Sequence, residues 1–283
     1  MSKAYVDYDC PITEIPHATG ALRKIQLANL KIALVFKQLC EENGLKYWLD
    51  YGNALGAVRH NGYIPWDDDI DLGMMRDDYD KFIELFKDGI PNHPELHLIY
   101  SNNGKNRCFI KVAHKYLTNI AIDIFPFDYY YKNATLEEKD KVTKTIQNYM
   151  KWNMFLFILL QPIYVNIPSL MVKRALKIRD KVILKGNKPN LNEKPSIVYG
   201  VDYPHEVEPL LYDYETIFPL GKIEYEGFEL SCPNKIKDYI AQIYGDYMAF
   251  PKDCYPRHTN SDGFQGEEAK IIDDYIKDLS DKL

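Results

Sequence analysis

The sequence predicts an α+β fold, in which a mixed sheet flanked by helices is followed by a helical appendage. The chain has 283 residues, of which 46% are hydrophobic, so it is long and apolar enough to bury a full core. Strand and helix patterns are interleaved over 1–132 without strict alternation, whereas 133–205 is helical and partly apolar. The remaining residues, 206–283, are predicted to form a hairpin and helices that close the active site.

The spacing of apolar residues gives the elements in order. The patterns predict a helix over 20–43, a strand over 45–49, a turn at 51–53 leading into a short helix over 54–60, a strand over 70–74 and a helix over 76–87. They continue with strands over 96–100, 107–113 and 120–125, a hairpin over 223–230, and helices over 233–244 and 267–279. Thr135 and Glu138 have the spacing of a capping box at the start of another helix.

Charge and cysteine content exclude several classes of protein. The net charge of −6 excludes a general nucleic-acid binder, which needs a basic surface. The five cysteines are scattered and never in C-x-x-C spacing, which indicates free thiols and argues against a structural zinc. The first 20 residues lack a basic segment followed by an apolar run, so we expect no secretory signal and a cytoplasmic location.

A charge-free apolar stretch covers 152–172. It has the length of a membrane-spanning helix, but Pro162 and Pro168 interrupt it, and the backbone groups freed by proline find no partner in lipid. Two interpretations stay open: a buried helical hairpin, and a segment at a membrane interface, for which the inner face of the plasma membrane is the expected place.

Four carboxylates within five residues, at Asp67, Asp68, Asp69 and Asp71, repel one another unless a positive ion lies among them. If the backbone is extended here, Asp67, Asp69 and Asp71 point to the same side. Convergent carboxylates with room for water suit Mg²⁺, which takes its other ligands from substrate phosphates. A solvated acidic loop is the alternative, and the apolar neighbours of the cluster argue against it.

Asp123 stands alone within the apolar strand pattern 120–125. An unpaired carboxylate on a buried strand destabilises the folded state by at least about 2 kcal/mol, so Asp123 needs a partner. A metal ion shared with Asp69 and Asp71 would provide one. The alternative is a carboxylate bonded to backbone amides at a strand end.

Two long motifs resemble one known family. The run YWLDYGNALGAVRHNGYIPWDDDIDLG at 47–73 and the run IDIFPFD at 122–128 closely resemble the LicD family of phosphocholine transferases, which is related to fukutin and fukutin-related protein. The resemblance returns in YGDYM at 244–248 and in the downstream Pro251, Arg257 and His258. It implies a nucleotidyltransferase-like core over 1–132.

The resemblance also implies roles for individual residues. Proteins of this superfamily have a glycine turn at a helix start, an Asp-x-Asp pair and a third carboxylate on a later strand. Here Gly52 and Asn53 stand at the turn, where backbone N–H groups would face a nucleotide phosphate. Asp69, Asp71 and Asp123 would be the catalytic metal ligands, assisted by Asp67. We expect Mg²⁺, with Mn²⁺ as a substitute.

Several basic residues fit phosphate binding. Lys111, central in a predicted strand, would neutralise charge on the leaving phosphate, or else extend into solvent at a sheet edge. Arg59 and His60 follow the short helix and are candidate phosphate ligands. His258, beside Arg257, would close the site or transfer a proton, with a surface role as the alternative.

The resemblance finally implies a reaction. Phosphocholine would pass from CDP-choline to a hydroxyl of a cell-surface glycan precursor, such as one of lipopolysaccharide or teichoic acid, and CMP would leave. Choline would need an aromatic cage. The aromatic residues beside the motifs are Trp48, Tyr63, Trp66, Tyr129 and Tyr130. Alternatives are a CDP-ribitol or CDP-glycerol donor, a non-catalytic choline- or nucleotide-binding module, and a membrane-associated scaffold. A lipid-linked acceptor would explain the apolar stretch.

Overall fold

A computed structural model provides the fold of this chain. It describes residues 10–102, 108–138, 167–182, 186–200, 210–251 and 264–282, with single positions at 140, 141, 144, 145, 148 and 184. The strands are β1 Trp48–Leu49, β2 Asp71–Met75, β3 Leu96–Asn102, β4 Cys108–His114, β5 Ala121–Tyr130, β6 Ser196–Tyr199, β7 Leu211–Tyr212, β8 Gly221–Tyr225 and β9 Phe228–Cys232. The helices are α1 Gly20–Asn43, α2 Tyr51–His60, α3 Arg76–Phe86, α4 Ile167–Val182, α5 Tyr214–Ile217, α6 Ile236–Tyr244 and α7 Gly266–Ser280.

Seven strands form one mixed sheet, and β8 and β9 form a separate hairpin. The order β1-β2-β5-β4-β3 places β5 at the centre, and β6 and β7 extend the sheet from the far end of β5. Only the pairing of β2 with β5 is parallel among the described strands. The predicted α+β fold with a mixed sheet is therefore confirmed.

The strand β5 is central because its sequence is almost continuously apolar. Ile122, Ile124 and Phe127 are fully buried, as expected of a strand covered on both faces. The helix α1 presents an apolar stripe to the same core, which includes Leu30 and Phe36. These two elements support the acidic loop between α2 and β2, which contains Asp67, Asp68 and Asp69.

The structure corrects the predicted start of α2. The sequence indicated a turn at 51–53, but these residues form the first turn of the helix, which begins at Tyr51. Asp50 is its N-cap, and one of its carboxylate oxygens accepts from the Tyr51 N–H at 2.7 Å. A polar N-cap satisfies a helix N–H that would otherwise have no partner, so the helix starts as soon as Asp50 provides one.

Other predicted elements agree with the structure within a few residues. The capping box is present, since the Thr135 N–H donates to Glu138 and the Glu138 N–H donates to the Thr135 hydroxyl. The hairpin β8–β9 and the helices α6 and α7 lie where the sequence indicated. The strand β5 continues to Tyr130, beyond the predicted end at 125.

A buried group of charges at the end of β5 fixes two helices to the sheet. Asp128 is fully buried and accepts from Arg76 Nε of α3 at 3.0 Å and from Arg179 Nη1 of α4 at 2.7 Å. A buried carboxylate needs such partners, because an unpaired charge in the core is strongly destabilising. The contact therefore determines which side of α4 faces the protein.

The apolar stretch 152–172 lies only partly within the described residues. Its residues up to 166 lie outside the described part of the chain, and 167–172 form the beginning of α4. Among the described helices, none has the length and apolar character needed to cross a bilayer. The division of the chain at 132 and 205 stays a prediction, although β6 and β7 from beyond 132 belong to the same sheet as the core.

Candidate active site

Three neighbouring strands bring together the central charged residues of the motifs. Asp71, the first residue of β2, lies opposite Asp123 of β5 in the parallel pair. Lys111 of β4 lies opposite Asp123 on the other side. Directly paired residues on neighbouring strands point to the same face of a sheet, so the three side chains form a row. The structure thus brings Asp123 next to Asp71, 52 positions earlier in the sequence, and next to Lys111, 12 positions earlier.

The loop before β2 adds the remaining carboxylates. One oxygen from each of Asp67, Asp68 and Asp69 lies within 4.8 Å of the others. Backbone alternation does not apply to this loop, because the strand begins only at Asp71. The expectation that Asp67, Asp69 and Asp71 converge without Asp68 is therefore corrected, since the Asp68 carboxylate belongs to the group as well.

Two polar residues of α1 hold the loop by its backbone. Gln26 donates to the Asp67 carbonyl at 2.8 Å, and Asn29 donates to the Asp68 carbonyl at 3.0 Å. Both side chains are buried, where a polar group is stable only if it is hydrogen-bonded. Neither residue was predicted from the sequence to belong to the site. Their signal is the presence of two amides, three residues apart, within the apolar stripe of a helix.

Asn53 holds the same loop from the other side. Its Oδ1 accepts from the Asp71 N–H at 2.6 Å. Its Nδ2 donates to the Asp69 carbonyl at 3.1 Å and to the Tyr225 hydroxyl at 2.9 Å. This side chain is buried, and its bonds lie within the protein. The Asn53 side chain therefore positions the acidic loop, and the predicted role of this residue in phosphate binding stays a prediction.

Gly52 leaves the space that the Asp67 side chain occupies. A Cβ atom at position 52 would lie 2.7 Å from Asp67 Oδ2, which is closer than carbon and oxygen atoms approach without bonding. The requirement for glycine is therefore steric: this first turn of α2 runs directly beneath a carboxylate.

The substitution Gly52→Ala should separate activity from stability. The new methyl group must displace the Asp67 carboxylate, and a shift of about 1 Å at a reacting centre can cost about 100-fold in rate. Folding should be unaffected or improved, since alanine is favoured over glycine inside helices by up to about 1 kcal/mol. Turnover and the thermal midpoint, measured together, check this. Unchanged turnover would show that Asp67 is not needed at its observed position.

Burial and mutual repulsion shape the electrostatics of the group. Burial raises the pKa of Asp67 well above its usual range, and the neighbouring Asp69 raises it further. Burial likewise raises the pKa of Asp71, followed by the charges of Asp69 and Asp123. Such a group of carboxylate oxygens fits a hard divalent cation such as Mg²⁺, whose charge would offset this repulsion. The residues present therefore fit the expected metal.

Lys111 provides the local positive charge. Its Nζ lies 2.6 Å from Asp123 Oδ1 and 2.8 Å from Oδ2. Both side chains are partly exposed, so the ion pair borders the open side of the group rather than the core. Lys111 thus lies where it can contact an anion that a metal ion holds at the carboxylates. Because its side chain is bound to Asp123, it does not simply extend into solvent, which was the alternative.

Asp50 is a second residue that the sequence analysis missed. It is fully buried and accepts from the Tyr199 hydroxyl at 2.6 Å and from the Tyr239 hydroxyl. Its N–H donates to the Asp71 carbonyl at 2.9 Å. Burial raises the pKa of Asp50 to about 6, and the hydroxyl donors oppose this rise. Asp50 thereby joins β6 and α6 to the point where α2 and β2 meet. An Asp two residues before Gly52, where it can cap a helix, was the sequence feature that pointed to this role.

Arg59 and His60 lie at the other end of α2. Arg59 donates to the Tyr247 carbonyl at 2.7 Å and to His60 Nε2 at 2.9 Å, and its guanidinium lies 5.9 Å from the Trp66 ring. Burial, assisted by the charge of Arg59, lowers the pKa of His60 to about 4, so the imidazole is neutral at pH 7. Arg59 thus attaches the segment after α6 beside the acidic loop. The predicted phosphate contacts of both residues stay predictions.

Tyr244, the first residue of the YGDYM run, lies near the acidic group, although no role in the site was predicted for it from the sequence. The contacts of Asp50 with Tyr239 and of Arg59 with Tyr247 fix α6 alongside α2. Tyr244, between these contacts, has 40% of its surface exposed. Its pKa is raised by burial of the hydroxyl and then by the charges of Asp67 and Asp71. Tyr244 is therefore a partly exposed aromatic residue close enough to the acidic group to feel its charge.

The structure does not assemble the expected aromatic cage. Trp48, Tyr63 and Tyr130 have at most 1% of their surface exposed, so no ring face is accessible to a ligand. Trp66 and Tyr129 are partly exposed. Tyr129, however, lies six residues beyond Asp123 along β5, about 20 Å away at the usual rise per residue. Trp66 is the one member of the set that is both accessible and next to the acidic loop. Arg257 and His258 lie outside the described residues.

Comparisons with known proteins agree with this arrangement. Residues 44–164 match the family described as LicD/FKTN/FKRP, nucleotidyltransferase domain. The lipopolysaccharide cholinephosphotransferase LicD of Haemophilus influenzae is 29% identical over 273 residues, which cover 84% of this chain and 96% of that protein. The human ribitol 5-phosphate transferase FKRP is 30% identical over 87 residues, which cover 31% of this chain and 18% of that protein.

The names of both relatives describe phosphotransferases, so the predicted class of enzyme is confirmed. What they share is the transfer of a phosphorylated alcohol. The matched segment contains the acidic loop, Lys111 and Asp123, which form the charged group described above. Residues 44–164 of this chain therefore match the nucleotidyltransferase domain of the LicD/FKTN/FKRP family.

Proposed function

We propose that this protein transfers phosphocholine from CDP-choline to a hydroxyl group of a cell-surface glycan precursor, such as one of lipopolysaccharide or teichoic acid, and releases CMP. The observation that carries the proposal is the pairing of Asp71 with Asp123 across parallel strands, directly beside the acidic loop. Such a group of carboxylates serves to hold a divalent cation on a diphosphate.

Asp69, Asp71 and Asp123 would hold Mg²⁺, with Asp67 assisting and Mn²⁺ as a substitute. When bound, this ion neutralises phosphate charge and orients the diphosphate. The acceptor oxygen forms a bond to the phosphorus that carries choline, and the bond from that phosphorus to the bridging oxygen breaks. CMP leaves with the electron pair, and a carboxylate of the group takes the hydroxyl proton. Lys111, bound to Asp123, lies where it can stabilise charge on the leaving group.

Two observations favour choline over another alcohol. The cholinephosphotransferase relative aligns with 84% of this chain, whereas the ribitol phosphate transferase aligns with 31%. Two aromatic residues near the acidic loop, Trp66 and Tyr244, are also at least partly exposed. A quaternary ammonium group offers no hydrogen bond and is bound by aromatic faces, each worth about 0.5 to 2 kcal/mol. These two rings replace the expected set of five in the proposal.

A panel of donors tests the proposal. With Mg²⁺ and a lipopolysaccharide or teichoic acid acceptor, CDP-choline should yield CMP, and CDP-ribitol and CDP-glycerol should yield far less. Chelation of the metal should stop the reaction. In thermal-shift measurements, CDP-choline should stabilise the protein more than CDP-ethanolamine, which lacks the methyl groups that contact aromatic faces. Turnover with CDP-ribitol alone would replace choline as the donor alcohol, and donor binding without any turnover would indicate a binding module.

A further inference from the structure

The helix α4 has a strongly basic exposed face. Lys173, Arg174, Lys177 and Lys181 are all exposed. At 3.6 residues per turn, their spacing places them within an arc of about 100° around the helix axis. The chain as a whole carries a net charge of −6, so this concentration of positive charge is a local feature and not a general property of the surface.

The direction of this face is determined by contacts on the opposite side of α4. Arg179, which lies across the helix from the basic arc, donates to the buried Asp128 of β5 at 2.7 Å. Arg179 also binds Asp180, the nearest acidic residue on the helix, at 2.7 Å. The carboxylate that borders the arc is therefore already paired with an internal arginine, and the basic face is turned outward.

The sequence before the basic residues is apolar. The run 152–172 contains no charged residue, and its last six residues are the first six of α4. A nucleic acid would contact the basic residues through its phosphates but not the apolar run beside them. A lipid surface interacts with both the basic and the apolar residues. Basic residues next to a membrane-interacting segment attract anionic lipids, at about 1 kcal/mol for each residue near the surface.

We propose that the exposed basic face of α4 binds the surface of an anionic lipid bilayer. The interaction depends on charge, and it therefore selects lipid composition. It does not depend on the identity of the donor or on the transfer reaction. The negative charge of the rest of the protein would be repelled by the same surface, so binding through α4 also sets the orientation of the enzyme.

Vesicle flotation tests this proposal with the full chain. Binding to phosphatidylcholine vesicles that contain phosphatidylglycerol should exceed binding to pure phosphatidylcholine, and should weaken as salt is added, since salt screens exposed charges. The triple variant Lys173→Glu, Lys177→Glu, Lys181→Glu should lose about 100-fold or more in affinity for the anionic vesicles. The corresponding glutamine variant, which removes the charges without reversing them, should lose less.

A matched triple variant controls for net charge. Lys237→Glu, Lys270→Glu and Lys277→Glu change three exposed lysines on α6 and α7, and this variant should bind anionic vesicles far better than the α4 variant. Release of CMP with a soluble acceptor should be equal in all variants, which separates this proposal from the proposed reaction. Equal flotation with both vesicle types, equal losses in the two triple variants, or binding of a single-stranded oligonucleotide in preference to vesicles would each overturn it.

Discussion

The variant Asp71→Asn should lose at least about 1,000-fold in turnover, while its metal-free form becomes more stable than the wild type. Asp71 lies opposite Asp123 and near Asp67 and Asp69, and burial together with these charges raises its pKa. Removal of the ionisable group relieves that repulsion in the absence of metal. The same change removes a ligand that an Mg²⁺ ion would need. Activity and stability should therefore move in opposite directions.

Three measurements check this expectation. Turnover should be lost, the free energy of unfolding of the metal-free protein at about pH 8 should rise by about 1 kcal/mol, and the stabilisation by Mg²⁺ should disappear. Asp88→Asn, which changes an exposed aspartate after α3, is the matched control and should alter none of these. If Mg²⁺ still stabilises Asp71→Asn as strongly as the wild type, the proposed metal site is wrong.

The variant Asn53→Ala should destabilise the protein by about 3 to 5 kcal/mol. The change leaves the Asp71 N–H, the Asp69 carbonyl and the Tyr225 hydroxyl without the bonds that Asn53 makes with them. Each buried polar group that loses its partner costs about 1 to 3 kcal/mol. The acidic loop also loses its attachment to α2, so turnover should fall even in the fraction that remains folded.

Urea denaturation and activity at a temperature well below the unfolding transition measure the two effects separately. Asn192→Ala, an exposed asparagine, should cost less than about 0.5 kcal/mol and leave turnover unchanged. Tyr225→Phe, which removes one of the three bonds, should have an intermediate effect. A loss below about 1 kcal/mol in Asn53→Ala would mean that water replaces this side chain and that the loop is held mainly by α1.

The carboxylates of the site could be found from the sequence. An unpaired carboxylate in apolar or acidic surroundings is destabilising, and those surroundings can be read from the neighbouring residues. Four acids in one loop and a lone Asp123 in an apolar strand each require compensation wherever they lie in the fold. That Asp71 and Asp123 are partners could not be derived from periodicity, since strand patterns do not show which strands pair or in which register. The long motif resemblance supplied that link.

The residues that hold the site were harder to predict, because their role depends on long-range contacts. Gln26 and Asn29 lie 41 and 39 residues before the backbone groups that they bind. A polar residue on a helix is usually solvated, and only burial distinguishes these two. The prediction of an aromatic cage was wrong for Trp48 and Tyr63, which face the core. These residues were chosen because they are close to the motifs in sequence, and such proximity does not indicate on which side of the backbone a ring lies.

The segment that matches the family model is shorter than the part of the chain that holds its acidic loop in place. The family match spans 44–164, but the acidic loop within it is fastened by α1, by Tyr225 of the C-terminal hairpin and, through Asp50, by β6 and α6. All of these supports lie beyond the matched boundaries. A fragment trimmed to those boundaries would keep every proposed metal ligand and lose the surroundings that bring them together. The proposed metal ligands thus lie in one stretch of sequence, while their geometry depends on contacts with described residues on both sides of that stretch.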